Sequence, residues 1–212
     1  MTITKRALLS RVLLSTAFFP PIEYFAVLAK YSVLYIEAQE NYIKQTYRNR
    51  CRILTSNGVE DIRVPVVHNG ARLITQVEVD YSTDWVRRAE YALSSAYDNS
   101  PFFEYYKDEL FSILDSHPGT LWELNGRIME FFCRKIGLSP KILQTDRFDL
   151  PCGQPEDFRY TIAPKVPSSY AAREYYQVFR DKFGFVGGLS IADLLFNEGP
   201  ESIIFLIAMN PR

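Results

Sequence analysis

The chain has 212 residues, a formal net charge of −1, and 47% hydrophobic and 23% charged residues, the balance of an ordinary folded protein. That length fits one large domain or two small ones, with enough burial for a real core. The near-neutral charge excludes a global field that would gather nucleic acid or anionic lipid, so any recognition of anions must be local. Three cysteines, Cys51, Cys133 and Cys152, lack CxxC spacing and argue against a disulfide framework or a zinc knuckle; they point to a reducing compartment. His68 and His117 are too few for a His-rich metal site. The 15 Phe and 14 Tyr are an excess whose plainest use is to fill a core.

In chain order, Lys5, Arg6 and Arg11 precede the short apolar run VLLSTAFF, which faintly resembles a leader. The run holds Ser15 and Thr16 and is closed by Pro20-Pro21, so Ala7–Thr16 is read as a buried strand rather than a signal segment. Nothing elsewhere approaches the ~18 apolar residues of a membrane span. Pro20-Pro21 open a helix in which Ile22, Phe25, Leu28 and Ala29 recur at helical spacing. A second strand spans Ser32–Ala38. Strand, helix and strand make a βαβ unit with parallel strands, and ligands of such units sit at the carboxyl ends of the strands, here Ser15–Pro21 and Glu37–Tyr42.

Asn49–Thr55 and Glu60–Val67 flank Ser56-Asn57-Gly58, a hairpin signal. With Asn57 and Gly58 at the turn, Ile53 faces Ile62 and Cys51 faces Val64, while Arg52 faces Arg63 on the other side with Arg50 nearby. Like charges directly opposite are unfavourable, so a face with three arginines wants an anion or carboxylate partners. The plainer alternative is a solvated face neutralised by Asp61 and Glu78. Helices follow: one after Ser82–Asp84 to Tyr97, one opened by Pro101, and one with Thr120 and Glu123 at capping-box spacing that ends at Gly137. Leu143–Ser169 is irregular and Pro-rich, either a flap or a connection. A helix is predicted over Ala171–Phe183. Gly187-Gly188 then leads into LSIADLLFNEGPES, where Ser190 can cap a short helix and Leu189, Ile191, Leu194, Leu195 and Phe196 should be buried. The fold class is therefore α+β: an N-terminal βαβ unit plus hairpin forming a mixed sheet, then a mainly helical remainder, over a single domain of residues 1–212.

No GxGxxG, Walker A or GxSxG pattern occurs, and no cofactor or metal is expected. The candidate site is the segment NYIKQTYRNRCRIL and its surroundings. Lys44, Arg50, Arg52 and Arg63 would hold phosphate, for which arginine offers paired donors. Tyr24, Tyr42 or Trp85 would stack on a sugar or base, with Asn49 beside them. Glu37 or Glu40 would act as general base on an acceptor.

FPPIEYFAVLAKYSVLYIEAQENYIKQTYRNRCRI, VPVV, STDWVRRAEYALSSAYDNSPFFEYY and LSIADLLFNEGPES, in that order from about Thr16 to Ser202, resemble the WbqC-like protein family. Asn49-Arg50 before a hairpin, Trp85 opening a helix, and the Leu-Ser-Ile-x-Asp-Leu-Leu-Phe-Asn-x-Gly ending are jointly specific. The resemblance implies a bacterial cytoplasmic protein with a role in O-antigen or other surface polysaccharide biosynthesis; the family has no established activity. Longer relatives carry a Gly-rich segment before the last helices, where this chain has the Pro-rich stretch 150–167, and an aspartate near the end of the second strand, where this chain offers Glu37 and Glu40. Two functions fit. One is a transferase acting on an activated sugar or acyl donor that bears phosphate, such as a nucleotide sugar. The other is a non-catalytic protein that binds a partner of the biosynthetic machinery. Neither oligomeric state nor acceptor follows from the sequence.

Overall fold

A computed structural model describes residues 11–67, 70, 72–148 and 157–211. Ala7–Ser10 of the predicted first strand, His68, Pro151, Cys152 and Pro155 lie outside the described residues. Strand β1 (Arg11–Ser15), helix α1 (Ile22–Leu28) and strand β2 (Val33–Glu37) form the expected βαβ unit, with β1 and β2 parallel and Leu14 opposite Ile36. Val12, Leu14 and Leu34 are buried while their neighbours are less so, the period-2 pattern of strands with one face on the core. A third parallel strand, β5 (Lys141–Gln144), pairs with the far side of β2, giving the order β1-β2-β5. It carries no alternating burial and leaves no readable strand signal.

The hairpin of β3 (Arg50–Thr55) and β4 (Gly58–Arg63) does not join these strands; it is a separate two-stranded sheet. Its register differs from the expected one. Thr55 pairs with Gly58, so Ser56 and Asn57 form the turn; Cys51 faces Ile62, Arg52 faces Asp61 and Ile53 faces Glu60. Neither Ser56 nor Asn57 takes the positive φ of a type I′ turn; Gly58 does, at φ 108°, just after the turn. The slip is two residues, so every side chain keeps its face. Cys51, Ile53 and Ile62 point into the core as expected.

Helices α2 (Trp85–Tyr97), α3 (Phe103–Asp115) and α4 (Leu121–Ile136) follow the hydrophobic stripes. Thr120 Oγ1 accepts the Glu123 amide at 3.2 Å at the start of α4, and Gly137 ends it with φ 82°. The predicted Ala171–Phe183 helix is reduced to α5 (Arg180–Phe183). The chain before it runs irregularly because Tyr175 and Gln177 turn inward to bond Asp193. Helices α6 (Ile191–Glu198) and α7 (Ser202–Ala208) end the chain. Leu189, Ile191, Leu194, Leu195 and Phe196 are all fully buried, as expected. The backbone ties this block to the front of the fold: Ile22 donates to the Leu189 carbonyl, Ile191 to the Pro20 carbonyl and Ser190 to the Arg52 carbonyl, at 2.8–3.0 Å. Buried apolar side chains form one contiguous cluster from Val12 to Met209, with Phe19, Phe25 and Phe131 packed edge-on around Phe132.

Candidate functional site

The carboxyl ends of β1 and β2 are filled by protein charge. Glu40 lies under a fork of Arg48, whose Nε donates to Oε1 at 2.8 Å and whose Nη2 donates to Oε2 and, at 2.7 Å, to Ser15 Oγ. Glu37, fully buried, accepts from Arg159 Nη1 at 2.5 Å, Thr145 Oγ1 at 2.6 Å and the Gln39 amide at 2.8 Å. Arg159 also forks onto Asp157, with Nη2 to Oδ2 at 2.7 Å. Tyr24 donates its hydroxyl to the Ser15 carbonyl at 3.0 Å, and burial holds that phenol far above its ordinary pKa. Between Arg48 and Arg159 a void of about 10 Å³ remains. Each carboxylate read as a candidate base is thus held by an arginine.

The hairpin arginines gather around one acid. Asp61 Oδ2 lies 3.3 Å from Arg50 Nη1 and 3.2 Å from Arg63 Nη2, and its Oδ1 lies 3.8 Å from Arg52 Nε. Asp61 is one of the two carboxylates that the plainer reading of this face named. Arg50 Nε is buried without a hydrogen-bond partner among the described residues. Arg52 reaches further, donating Nη2 to the Pro164 carbonyl at 3.1 Å, and this brings it to a cavity.

That cavity, of about 370 Å³, lies between the start of α1, the segment from Ala163 to Arg173, the Gly187-Gly188 turn and α7. Its volume falls in the range that small ligands fill. The inner wall is apolar: Ile22, Leu194, Tyr175, Phe185, Phe205 and Met209. Three cations stand around it. Arg52 is partly exposed; Lys165 is exposed and reaches Gln45 Oε1 at 3.3 Å; Arg173 is exposed and lies 5.2 Å over the Phe205 ring. Glu23 is the one carboxylate among the described lining residues. Its Oε1 accepts from the Ser169 amide and hydroxyl, both at 2.8 Å, while Oε2 receives no hydrogen bond from a described residue. Tyr47 also lines the cavity, its phenol pushed up by burial and pulled back by Arg52. Beneath, fully buried Asp193 accepts from Tyr175 at 2.5 Å, Tyr97 at 2.9 Å and Gln177 at 3.0 Å.

The structure therefore separates the sequence-derived candidates. Arg52 is at the cavity, Tyr24 at the small void, and Tyr42 and Lys44 border another, open hollow of about 350 Å³ with Arg72. Asn49 closes the hairpin by donating to the Val64 carbonyl at 2.9 Å. Trp85 is buried against Tyr81 and Phe18. Sequence reasoning missed Lys165, Arg173 and the aromatic inner wall; their only signals were the Pro-rich stretch and the Gly187-Gly188 pair. Among the described residues no group of three or more His, Cys, Asp or Glu is placed to hold a metal, and no helix is long and apolar enough to cross a membrane.

Fold and cavity together define an α+β protein with a small parallel sheet, a separate hairpin, and a ligand-sized pocket that is apolar within and cationic around. The profile of the WbqC-like protein family matches residues 16–166, and the chain belongs to that family. It is also similar to the uncharacterised protein Rv1507c of Mycobacterium tuberculosis, 29% identical over 211 residues covering 86% of this chain and 91% of that protein. No solved structure matches it.

Proposed function

We propose that the protein is a transferase that binds a phosphate-bearing activated donor in the cavity beside α1, and that it serves the building or decoration of a surface polysaccharide. The observation that carries this reading is the cavity wall itself: Arg52, Lys165 and Arg173 face one carboxylate, Glu23, around a space of about 370 Å³. Arginine and lysine donors of this kind suit phosphate oxygens. Glu23, anchored at one oxygen by Ser169, is the group placed to take a proton from an acceptor amine or hydroxyl. Membership of the WbqC-like family supports the glycan context. The test is a titration calorimetry panel of nucleotide sugars and other phosphate-bearing donors. Binding should weaken about tenfold or more in Arg52→Ala and Arg173→Ala, the loss of one charge-assisted hydrogen bond. Glu23→Gln should bind the same donor and lose turnover. No binding by any donor, or binding indifferent to both arginine substitutions, would end the reading. The alternative, a non-catalytic partner-binding protein, draws on α7, where Ile204 and Ile207 are both more than half exposed one turn apart. It predicts that Ile204→Ser/Ile207→Ser leaves ligand binding intact and abolishes partner capture.

A further inference from the structure

We propose that the group transferred is an acyl group: the apolar interior of the cavity holds the acyl chain of a thioester, and the phosphates of its carrier, of the coenzyme A kind, lie against Arg52, Lys165 and Arg173. This rests on the reading above that the cavity binds an activated donor, and it says which donor.

The interior decides between acyl and sugar. A sugar carries a hydroxyl on most carbons, and each one buried without a partner lowers affinity about tenfold. The inner wall has little to offer such groups. Ile22, Leu194, Phe205, Phe185 and Met209 present carbon and sulfur. Tyr175 has a hydroxyl, but that hydroxyl donates to Asp193 at 2.5 Å and accepts from Gln177 at 3.1 Å, so it is already engaged. Ser168 Oγ is engaged as well, donating to the Tyr170 carbonyl at 3.0 Å. These two hydroxyls are thus satisfied by the protein itself, and Tyr170 and half-buried Tyr47, beside Arg52, carry the remaining side-chain hydroxyls of the described wall. The charged groups of the wall, Arg52, Lys165, Arg173 and Glu23, are all partly or fully exposed, whereas Ile22, Tyr175, Leu194 and Met209 are buried. Apolar inside and charged outside is the polarity of a thioester carried on a phosphorylated handle.

The reaction balances without any oxidant or reductant. The acceptor's amine or hydroxyl attacks the thioester carbonyl carbon, a C–N or C–O bond forms, and the C–S bond breaks. The acceptor's proton passes to the free Glu23 Oε2 and then to the departing thiolate, leaving the carrier as its thiol.

Titration calorimetry of the intact chain with coenzyme A, acetyl-, butyryl- and hexanoyl-coenzyme A, and UDP-glucose as the sugar probe, tests this. Affinity should rise about fourfold for each added methylene until the interior is full. Ala172→Phe, an exposed lining position whose enlargement narrows the cavity, should remove that dependence and leave binding of coenzyme A itself. Arg173→Ala should weaken the whole series by a similar factor. If the series binds with no dependence on chain length, or UDP-glucose binds and the coenzyme A series does not, the acyl proposal is overturned while the activated-donor reading stands. If neither class binds, both fail. The chain-length series on the unaltered chain decides the matter even where Ala172→Phe does not fold.

Discussion

Replacing Arg159 with Met separates a structural from a catalytic role for Glu37. The Arg159 side chain is 1% exposed and Glu37 is fully buried. Removing the guanidinium leaves the Glu37 carboxylate with the Thr145 hydroxyl and the Gln39 amide but no counter-charge. It also strips Asp157, at the edge of the network, of its fork. Breaking one side of a buried ion pair costs about 3–5 kcal/mol because the remaining charge stays desolvated. Against a typical total of about 5–15 kcal/mol, that is about a fifth or more of the stability. Urea unfolding at neutral pH should show this loss as a lower midpoint at unchanged slope. Removing both charges, in Glu37→Met/Arg159→Met, should recover at least about 2 kcal/mol relative to Arg159→Met alone, since two apolar side chains tolerate each other where one stranded charge does not. A cost below about 1 kcal/mol for Arg159→Met, or strictly additive effects in the double variant, would refute the reasoning and return Glu37 to the list of reactive groups.

Asp193 gives a pH signature. Burial raises its carboxyl above the ordinary range, opposed by the hydrogen bonds of Tyr175, Gln177 and Tyr97. A folded-state pKa above the unfolded one contributes stability that is full below the unfolded value and is lost as pH rises through the folded value, so the native chain should lose stability relative to Asp193→Asn as pH rises above the ordinary aspartate value; a pH-independent difference in urea melts would contradict this. Gly199→Ala should destabilise by about 1–3 kcal/mol: the position has φ 54° and an added Cβ would stand 2.6 Å from the Phe102 ring. Gly119→Ala, with nothing within 4 Å and no positive φ, is the control expected within about 0.5 kcal/mol of neutral, and equal thermal melts for the two would sink the argument.

The fold was legible where local pattern and tertiary need agree. The β1-α1-β2 unit and the three stripes of α2, α3 and α4 announce themselves because each buries one face with the period of its own backbone. The C-terminal LSIADLLF block was legible for the same reason: nearly every position is apolar and nearly every position is buried. Strand β5 was not, because its partner is β2, more than a hundred residues away, and its side chains stay largely exposed. The Ala171–Phe183 helix was predicted with Gly184 as its end; Asp193, ten residues beyond the predicted helix, draws Tyr175 and Gln177 inward and overrides the local preference.

The candidate site was harder to read because linear sequence shows charges without their partners. Arg50, Arg52 and Arg63 left an anion and carboxylate partners both open, and a two-residue slip in register puts Asp61 opposite Arg52. Glu37 and Glu40, read as candidate bases, meet Arg159 and Arg48, one from 122 residues further along the chain. Conversely, Lys165 sits in a Pro-rich stretch read as a flap or a connection and Arg173 in a segment read as a helix, yet the chain folds them around the same cavity as Glu23 and Arg52. Of the charged residues in the two sets, the paired ones lie mostly where the strand ends and hairpin face concentrate charge in sequence. Those left to meet a ligand are supplied by three separate segments, and closure of the C-terminal block onto α1 and β3, through Ile22, Arg52 and residues 189–191, joins the Glu23–Ser169 and Arg52–Pro164 hydrogen bonds in bringing them together. A site assembled in this way depends on that closure. Substitutions along the Leu189–Ile191 backbone tie should therefore weaken ligand binding before they abolish folding.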